Sequence, residues 1–192
     1  MFRVRLRKIL NMAFLMRQIA RNIWCARRLA PFAKASAEEC ALGPVYSCDV
    51  DAVLNVYAKV NDSKHLSLKN LLLLRLLSSR ICLALRNRDG AIVGISFYYF
   101  NARDRQENSV HEGFTGLLKP YRGRGLGTVV RRHALTHFAK SKLNSVTSRV
   151  SLKNVASLKS NQNLGFETVD EYYDCALGER RCYLACDLNI YR

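Results

Sequence analysis

Thr115-Gly116-Leu117-Leu118-Lys119-Pro120-Tyr121-Arg122-Gly123-Arg124-Gly125-Leu126-Gly127 is the stretch on which the reading of this chain turns. An apolar run stops at Pro120 and three glycines fall within five residues. Leu126, Val129, Val130, His133, Ala134, His137 and Phe138 then recur at helical spacing. The pattern is a strand, a glycine-rich turn and a helix N-terminus. Glycine permits positive φ and close approach of a ligand, while the first helical turn leaves N–H groups without partners. With the helix dipole, Arg122 and Arg124 make this turn a candidate cradle for phosphate or pyrophosphate. The plainer alternative is an ordinary turn whose arginines are solvated. Neither G-x-x-x-x-G-K-[ST] nor G-x-G-x-x-G occurs here, which excludes a P-loop and the dinucleotide-binding fingerprint.

Arg122, Gly125 and Gly127 satisfy the pattern R/Q-x-x-G-x-G/A. Downstream, a helix that begins at Asn154, continues through Ser157 and closes at Leu164, Gly165 and Phe166 supplies a second motif in the right order. On these two motifs the chain, from about Val45 to its C-terminus, resembles the GNAT superfamily of acetyl-CoA-dependent N-acetyltransferases. The resemblance implies an α/β (α+β) fold with a mixed central sheet that splays after its fourth strand. It implies that the pantetheine arm of acetyl-CoA lies along the backbone of Thr115 to Leu117, with an N–H of Thr115 or Leu117 polarising the thioester carbonyl. The pyrophosphate is then expected over Arg122, Gly123, Arg124, Gly125, Leu126 and Gly127, with Asn154 and Asn161 also at the cofactor.

Direct transfer to an amine requires its unprotonated form, so a base must be present. Counting back along the strand, His111 stands where some family members carry a catalytic Glu, and Glu112 is its neighbour. Strand alternation sets the two on opposite faces unless a bulge intervenes. Because the family carries a bulge in this strand, Glu112 ranks ahead of His111. Asn161 is a departure, since many members have there a Tyr that protonates the departing thiolate, which an amide cannot do. Tyr121 or Tyr172 are the substitutes, and a thiol of pKa about 8.5 is a tolerable leaving group unaided.

Composition narrows the remaining classes. The 192 residues suffice for one domain and an appendage, with 49% hydrophobic and 24% charged residues. Seven cysteines, an odd number without a C-x-x-C pair, argue against a disulfide framework and a zinc site and for a reducing compartment. His133 and His137 are spaced i, i+4 without a third ligand and read as helix-face residues; no metal is expected. Of 31 Lys and Arg, nine fall within residues 1–37, which hold no acid; the rest of the chain carries 22 basic and 15 acidic residues, a net of +7. The excess belongs to the N-terminus, and with few interleaved aromatics it speaks against nucleic acid as a partner.

Residues 1–30 read as a basic amphipathic helix, with Met12, Met16, Ile19 and Ile23 on one face and Arg17, Arg21 and Arg28 on another. Three roles compete for it: attachment to an anionic membrane surface, a cleavable organelle presequence, or packing on the domain or on a second subunit as in a homodimer. The expected location is the cytoplasm, peripheral on the inner face of a membrane, with an organelle as the alternative. Residues 31–40 read as a linker and 41–192 as the catalytic domain. The domain order is βααβββαβαββ, with Asn101 to Ser109 as a charged loop bordering the substrate and a leucine-rich helix, Leu66 to Leu77, buried on more than one face. The expected function is transfer of an acetyl group from acetyl-CoA to a primary amine of a small molecule, aminosugar or other acceptor in a ternary complex. The alternatives are a long-chain N-acyltransferase and a non-catalytic CoA-binding module.

Overall fold

The computed structural model describes all residues except Met1, Glu38, Ser63 and Lys64, and among Phe2 to Ile9 only the side chain of Arg7. Helix α1 (Phe2–Ala26) leads into a small edge strand β1 (Ala35–Ala37) and β2 (Cys40–Pro44). Helices α2 (Val50–Val60) and α3 (Leu68–Ile81) precede β3 (Cys82–Arg86) and β4 (Ile92–Tyr99). A short α4 (Ala102–Glu107), β5 (Ser109–Leu117), α5 (Leu126–Ala139), β6 (Ser145–Ser151), α6 (Val155–Gln162), β7 (Phe166–Asp174) and β8 (Glu179–Asp187) complete the chain. The eight strands form one sheet in the order β1-β2-β3-β4-β5-β6-β8-β7, with only the β5–β6 pair parallel. That parallel step needs a crossover, which α5 supplies on one face of the sheet. Helices α2 and α3 pack on the other.

Two features of β5 shape the centre of the molecule. Its register with β4 pairs Phe97 with Phe114 but Tyr98 with Glu112, so Gly113 is the extra residue of a β-bulge. A Cβ at Gly113 would sit 2.3 Å from the Tyr99 ring, so glycine is needed there. The pairing of β5 with β6 covers only Ser109 to Glu112 against Ser145 to Ser148, although β5 runs on to Leu117 and β6 to Ser151. Beyond the bulge, the two strands have parted.

Two segments differ from the sequence expectation, and a third, α1, takes one of the roles weighed for it. The stretch 31–40, expected to be a linker, holds β1 and the buried Phe32, whose ring lies 4.4 Å from that of His137. The charged loop expected at Asn101–Ser109 is mostly helix. Asn101 accepts from Asp104 N at 3.1 Å and Asp104 accepts from Asn101 N at 3.0 Å, a capping box that starts α4. Helix α1 docks through Leu15, Ile19 and Ala26, against α3, and through Asn22. The Asn22 amide donates to Phe100 O at 2.8 Å and accepts from Phe100 N at 2.7 Å, closing the main chain where β4 ends. Cover from α1 explains how the leucine run of α3 is apolar on two sides, Leu73 and Leu74 being fully buried.

Candidate active site at the parting of two strands

The gap between β5 and β6 exposes backbone that a sheet would normally consume. Leu118 N donates to Val93 O, so by the alternation of an antiparallel ladder Thr115 and Leu117 turn their own N–H and C=O away from β4, to the side β6 has left. The side chain of Thr115 points to the α5 face, where its hydroxyl meets Ser96 Oγ at 2.6 Å. Arg122 Nε donates to Leu117 O at 2.8 Å and ties the turn to the strand end. Gly123 and Gly125 take φ of +76° and +74°, and a Cβ on either would meet nothing within 4 Å. Gly125 is the N-cap of α5, so the amides of Leu126 and Gly127 open onto that space. Arg124 lies 4.0 Å from Glu39. These groups fit an extended amide-bearing chain ending in a pyrophosphate: the backbone of Thr115 and the N–H of Leu117, which β6 does not pair, then free volume and amide donors at a helix start.

Asn154 caps α6 by accepting from Ser157 N at 3.1 Å. Asn161 is fully buried; its Nδ2 donates back to Ser157 O at 2.9 Å and its Oδ1 has no hydrogen-bond partner among the described residues. The Asn161 oxygen is therefore a buried acceptor with spare capacity near the helix that borders the gap.

The two candidate bases are sorted by the faces of β5. Glu112 points towards α5, where Arg131 Nε donates to both carboxylate oxygens at 2.9 and 3.2 Å. Both residues are buried, and Arg131 spends its remaining nitrogens on Ser160 Oγ at 3.0 Å and Ser157 Oγ at 3.1 Å. The carboxylate and guanidinium thus lock β5, α5 and α6 together.

His111 points to the other face, two residues before the bulge, between the rings of Tyr99 and Tyr183. Thr147 Oγ1 donates to Asp104 Oδ1 at 2.7 Å, so at 2.8 Å it accepts from Nδ1–H of His111. That bond fixes the tautomer and leaves the lone pair on Nε2. Asp104 is fully buried and also accepts from Ser109 Oγ at 3.1 Å. Burial lowers the pKa of His111 to about 4, against the raising effect of Asp104 and with Arg149, Arg181 and Lys69 lowering it further. Around this ring, Lys69 sits 4.6 Å over Tyr99. Among the described residues the Tyr172 hydroxyl and Arg181 Nε are buried without a hydrogen-bond partner, Arg181 Nε lying 3.8 Å from Glu179 Oε1.

Arg131, Asp104 and Thr147 were not singled out in the sequence. Asp104 had a local signal, Asn-x-x-Asp before a helical turn; Arg131 and Thr147 had none, since their roles depend on which strands and helices meet. His133 Nε2 donates to Ala33 O at 3.0 Å, and the His137 ring packs against that of Phe32, so both serve packing. Among the described residues no cluster of three His, Cys, Asp or Glu is arranged to hold a metal, and the seven cysteines are free thiols.

A sheet opened by one bulged strand, with a glycine turn at the helix that follows, defines a mixed α/β fold of the acetyltransferase type. The profile of the Acetyltransferase (GNAT) family matches residues 52–166, and the chain belongs to that family. No curated protein sequence matches it. Among solved structures it is similar to the ribosomal-protein-S5-alanine acetyltransferase of Vibrio fischeri, with TM-score 0.68 and 16% identity over 83% of this chain and 99% of that one. It is similar to the ribosomal-protein-S18-alanine N-acetyltransferase of Escherichia coli, with TM-score 0.63 and 14% identity over 78% and 94%. It is also similar to Arabidopsis thaliana Naa50 in complex with the bisubstrate analogue CoA-Ac-MVNAL, with TM-score 0.64 and 19% identity over 77% and 97%. At such identities the likeness carries the fold.

Proposed function

We propose that this protein transfers an acetyl group from acetyl-CoA to a primary amine by direct attack in a ternary complex. The observation that carries the reading is the gap itself: the outward backbone of Thr115 and Leu117 leads to the turn at Arg122–Gly127. Acetyl-CoA, when bound there, supplies an activated thioester. An N–H of Thr115 or Leu117 stabilises the negative charge that builds on the carbonyl oxygen during attack. Asn161 Oδ1 can accept a hydrogen bond from the cofactor, while its nitrogen is committed to the helix.

We assign the base to His111 rather than Glu112. His111 holds an available Nε2 on the face opposite the structural ion pair, and it is neutral across the physiological range. Proton uptake at Nε2 creates an imidazolium that Asp104 stabilises through Thr147. Glu112 has both oxygens on Arg131 and serves to position α5 and α6. Tyr172, with its spare hydroxyl, and Arg181 then border the acceptor.

The similar structures that act on alanine of ribosomal proteins or bind a peptide-bearing analogue make a polypeptide α-amine the first acceptor to try, ahead of aminosugars and small amines. The test combines melting temperature with and without acetyl-CoA and release of CoA thiol across an amine panel. At a hundred times its dissociation constant the ligand should add about 2.7 kcal/mol to stability. An Arg122→Glu, Gly127→Asp variant should lose that shift. No shift in folded wild type would end the proposal; a shift without turnover on any amine would leave a CoA-binding module.

A further inference from the structure

The outer face of α1 carries a stripe of mixed character. Arg7, Leu10, Phe14, Arg17, Arg21 and Trp24 follow one another at intervals of three and four residues, which places them on one side of a helix. Arg28 continues the series, with its guanidinium 3.6 Å over the Trp24 ring. The apolar members are open to solvent, Leu10 at 60%, Phe14 at 65% and Trp24 at 60% exposure. The opposite stripe, Leu15, Ile19, Asn22 and Ala26, is the one that docks the helix. Beside the outer stripe, Arg17, Ala20, Arg21, Trp24 and Arg105 line a hollow of about 430 Å³.

The composition of the stripe selects its occupant. A second copy would set four cations against the same four, with no acid in residues 1–37 to relieve them. A nucleic acid would satisfy the arginines and leave the exposed Leu10 and Phe14 in water. An anionic lipid surface accepts both kinds of group: apolar side chains pass below the headgroups, arginine stems follow them with guanidiniums at the phosphates, and tryptophan sits at the boundary.

We propose that the outer stripe of α1 is a docking face for a membrane surface bearing anionic phospholipids, with the hollow beside Arg105 receiving a headgroup phosphate. This surface stands apart from the acetyl-transfer site and does not depend on that assignment. It also corrects the face expected from sequence, because Ile19 and Ile23 of the expected inserting set pack on the core.

Trp24 is the only tryptophan of the chain, so fluorescence reads the proposed contact directly. The full chain is titrated with phosphatidylcholine vesicles, with and without phosphatidylglycerol. The expected result is a blue shift of Trp24 and its quenching by brominated lipid only when phosphatidylglycerol is present, weakening as salt is added. Arg17→Glu with Arg21→Glu, both exposed, should lower partitioning at least about tenfold while the melting temperature holds. A missing shift on anionic vesicles, or equal binding to neutral ones, overturns the proposal. Salt-sensitive retention on single-stranded RNA without vesicle binding, or burial of Trp24 by dimerisation without lipid, overturns it in favour of those partners.

Discussion

His111 and Glu112 are adjacent on β5 and live in opposite chemical circumstances. Glu112 faces α5 with every oxygen held by Arg131, so its charge is used up in joining three elements. His111 faces the other side, with one nitrogen oriented by Thr147 and the other hydrogen-bonded to none of the described residues. Titratable character alone therefore does not mark a base; a base needs an unspent atom, and pairing removes it. The bulge at Gly113 falls after both residues, so it leaves their alternation intact and re-aims only the strand beyond.

The sharpest way to break this comparison is activity. His111→Ala should lower kcat by about two to four orders of magnitude, the usual contribution of a general base. Glu112→Gln retains an oxygen for Arg131 and should leave kcat within about tenfold. The reverse order, measured on the amine that wild type turns over, would return the role to Glu112.

Stability should sort the pair the other way. Arg131→Met strands the Glu112 carboxylate in the interior, and breaking such a pair costs about 3–5 kcal/mol. In a Glu112→Gln background the same change should cost much less, because no charge is left unpaired. Denaturant unfolding of the four proteins gives the coupling directly. Additive losses would mean that the ion pair does not hold α5 and α6 to the strand.

Much of this geometry was legible in the chain. Strand, turn and helix around Arg122–Gly127 could be read because glycine, proline and helical periodicity act locally, and the positive φ at Gly123 and Gly125 is the local property that glycine signals. The pairing partners were not legible. Arg131 lies on a helix nineteen residues after Glu112, and Asp104 reaches Thr147 across forty-three. Nothing in periodicity says that these side chains meet: an arginine partner for Glu112 could be expected, but not that it would be Arg131. Helix α1 shows the same limit. Its period was visible, but which stripe faces protein depended on Asn22 meeting the main chain of Phe100, a polar contact that an apolar-face rule passes over.

The smallest expected effect, up to about 3 kcal/mol, lies in the pH dependence of stability, and it tests how dry the His111 side is. Burial is the largest cause of the lowered pKa, from 6.5 to about 4, and it wins although Asp104 opposes it. Arg149, Arg181 and Lys69 add to the lowering, while the Tyr99 and Tyr183 rings flank the imidazole. Between pH 6.5 and about 4 the unfolded chain binds a proton at this residue that the native state refuses, so stability falls as pH drops through that window. Above it the slope from His111 vanishes. His137 is lowered as well, chiefly by burial, and leaves a residual slope of the same sign. Unfolding free energies across the window should therefore be flatter in His111→Gln than in wild type, without becoming flat. Equal slopes would mean that His111 is protonated as easily in the native state as in the unfolded one. Water would then reach the ring freely, and only its bond to Thr147 would still distinguish it from an ordinary surface histidine.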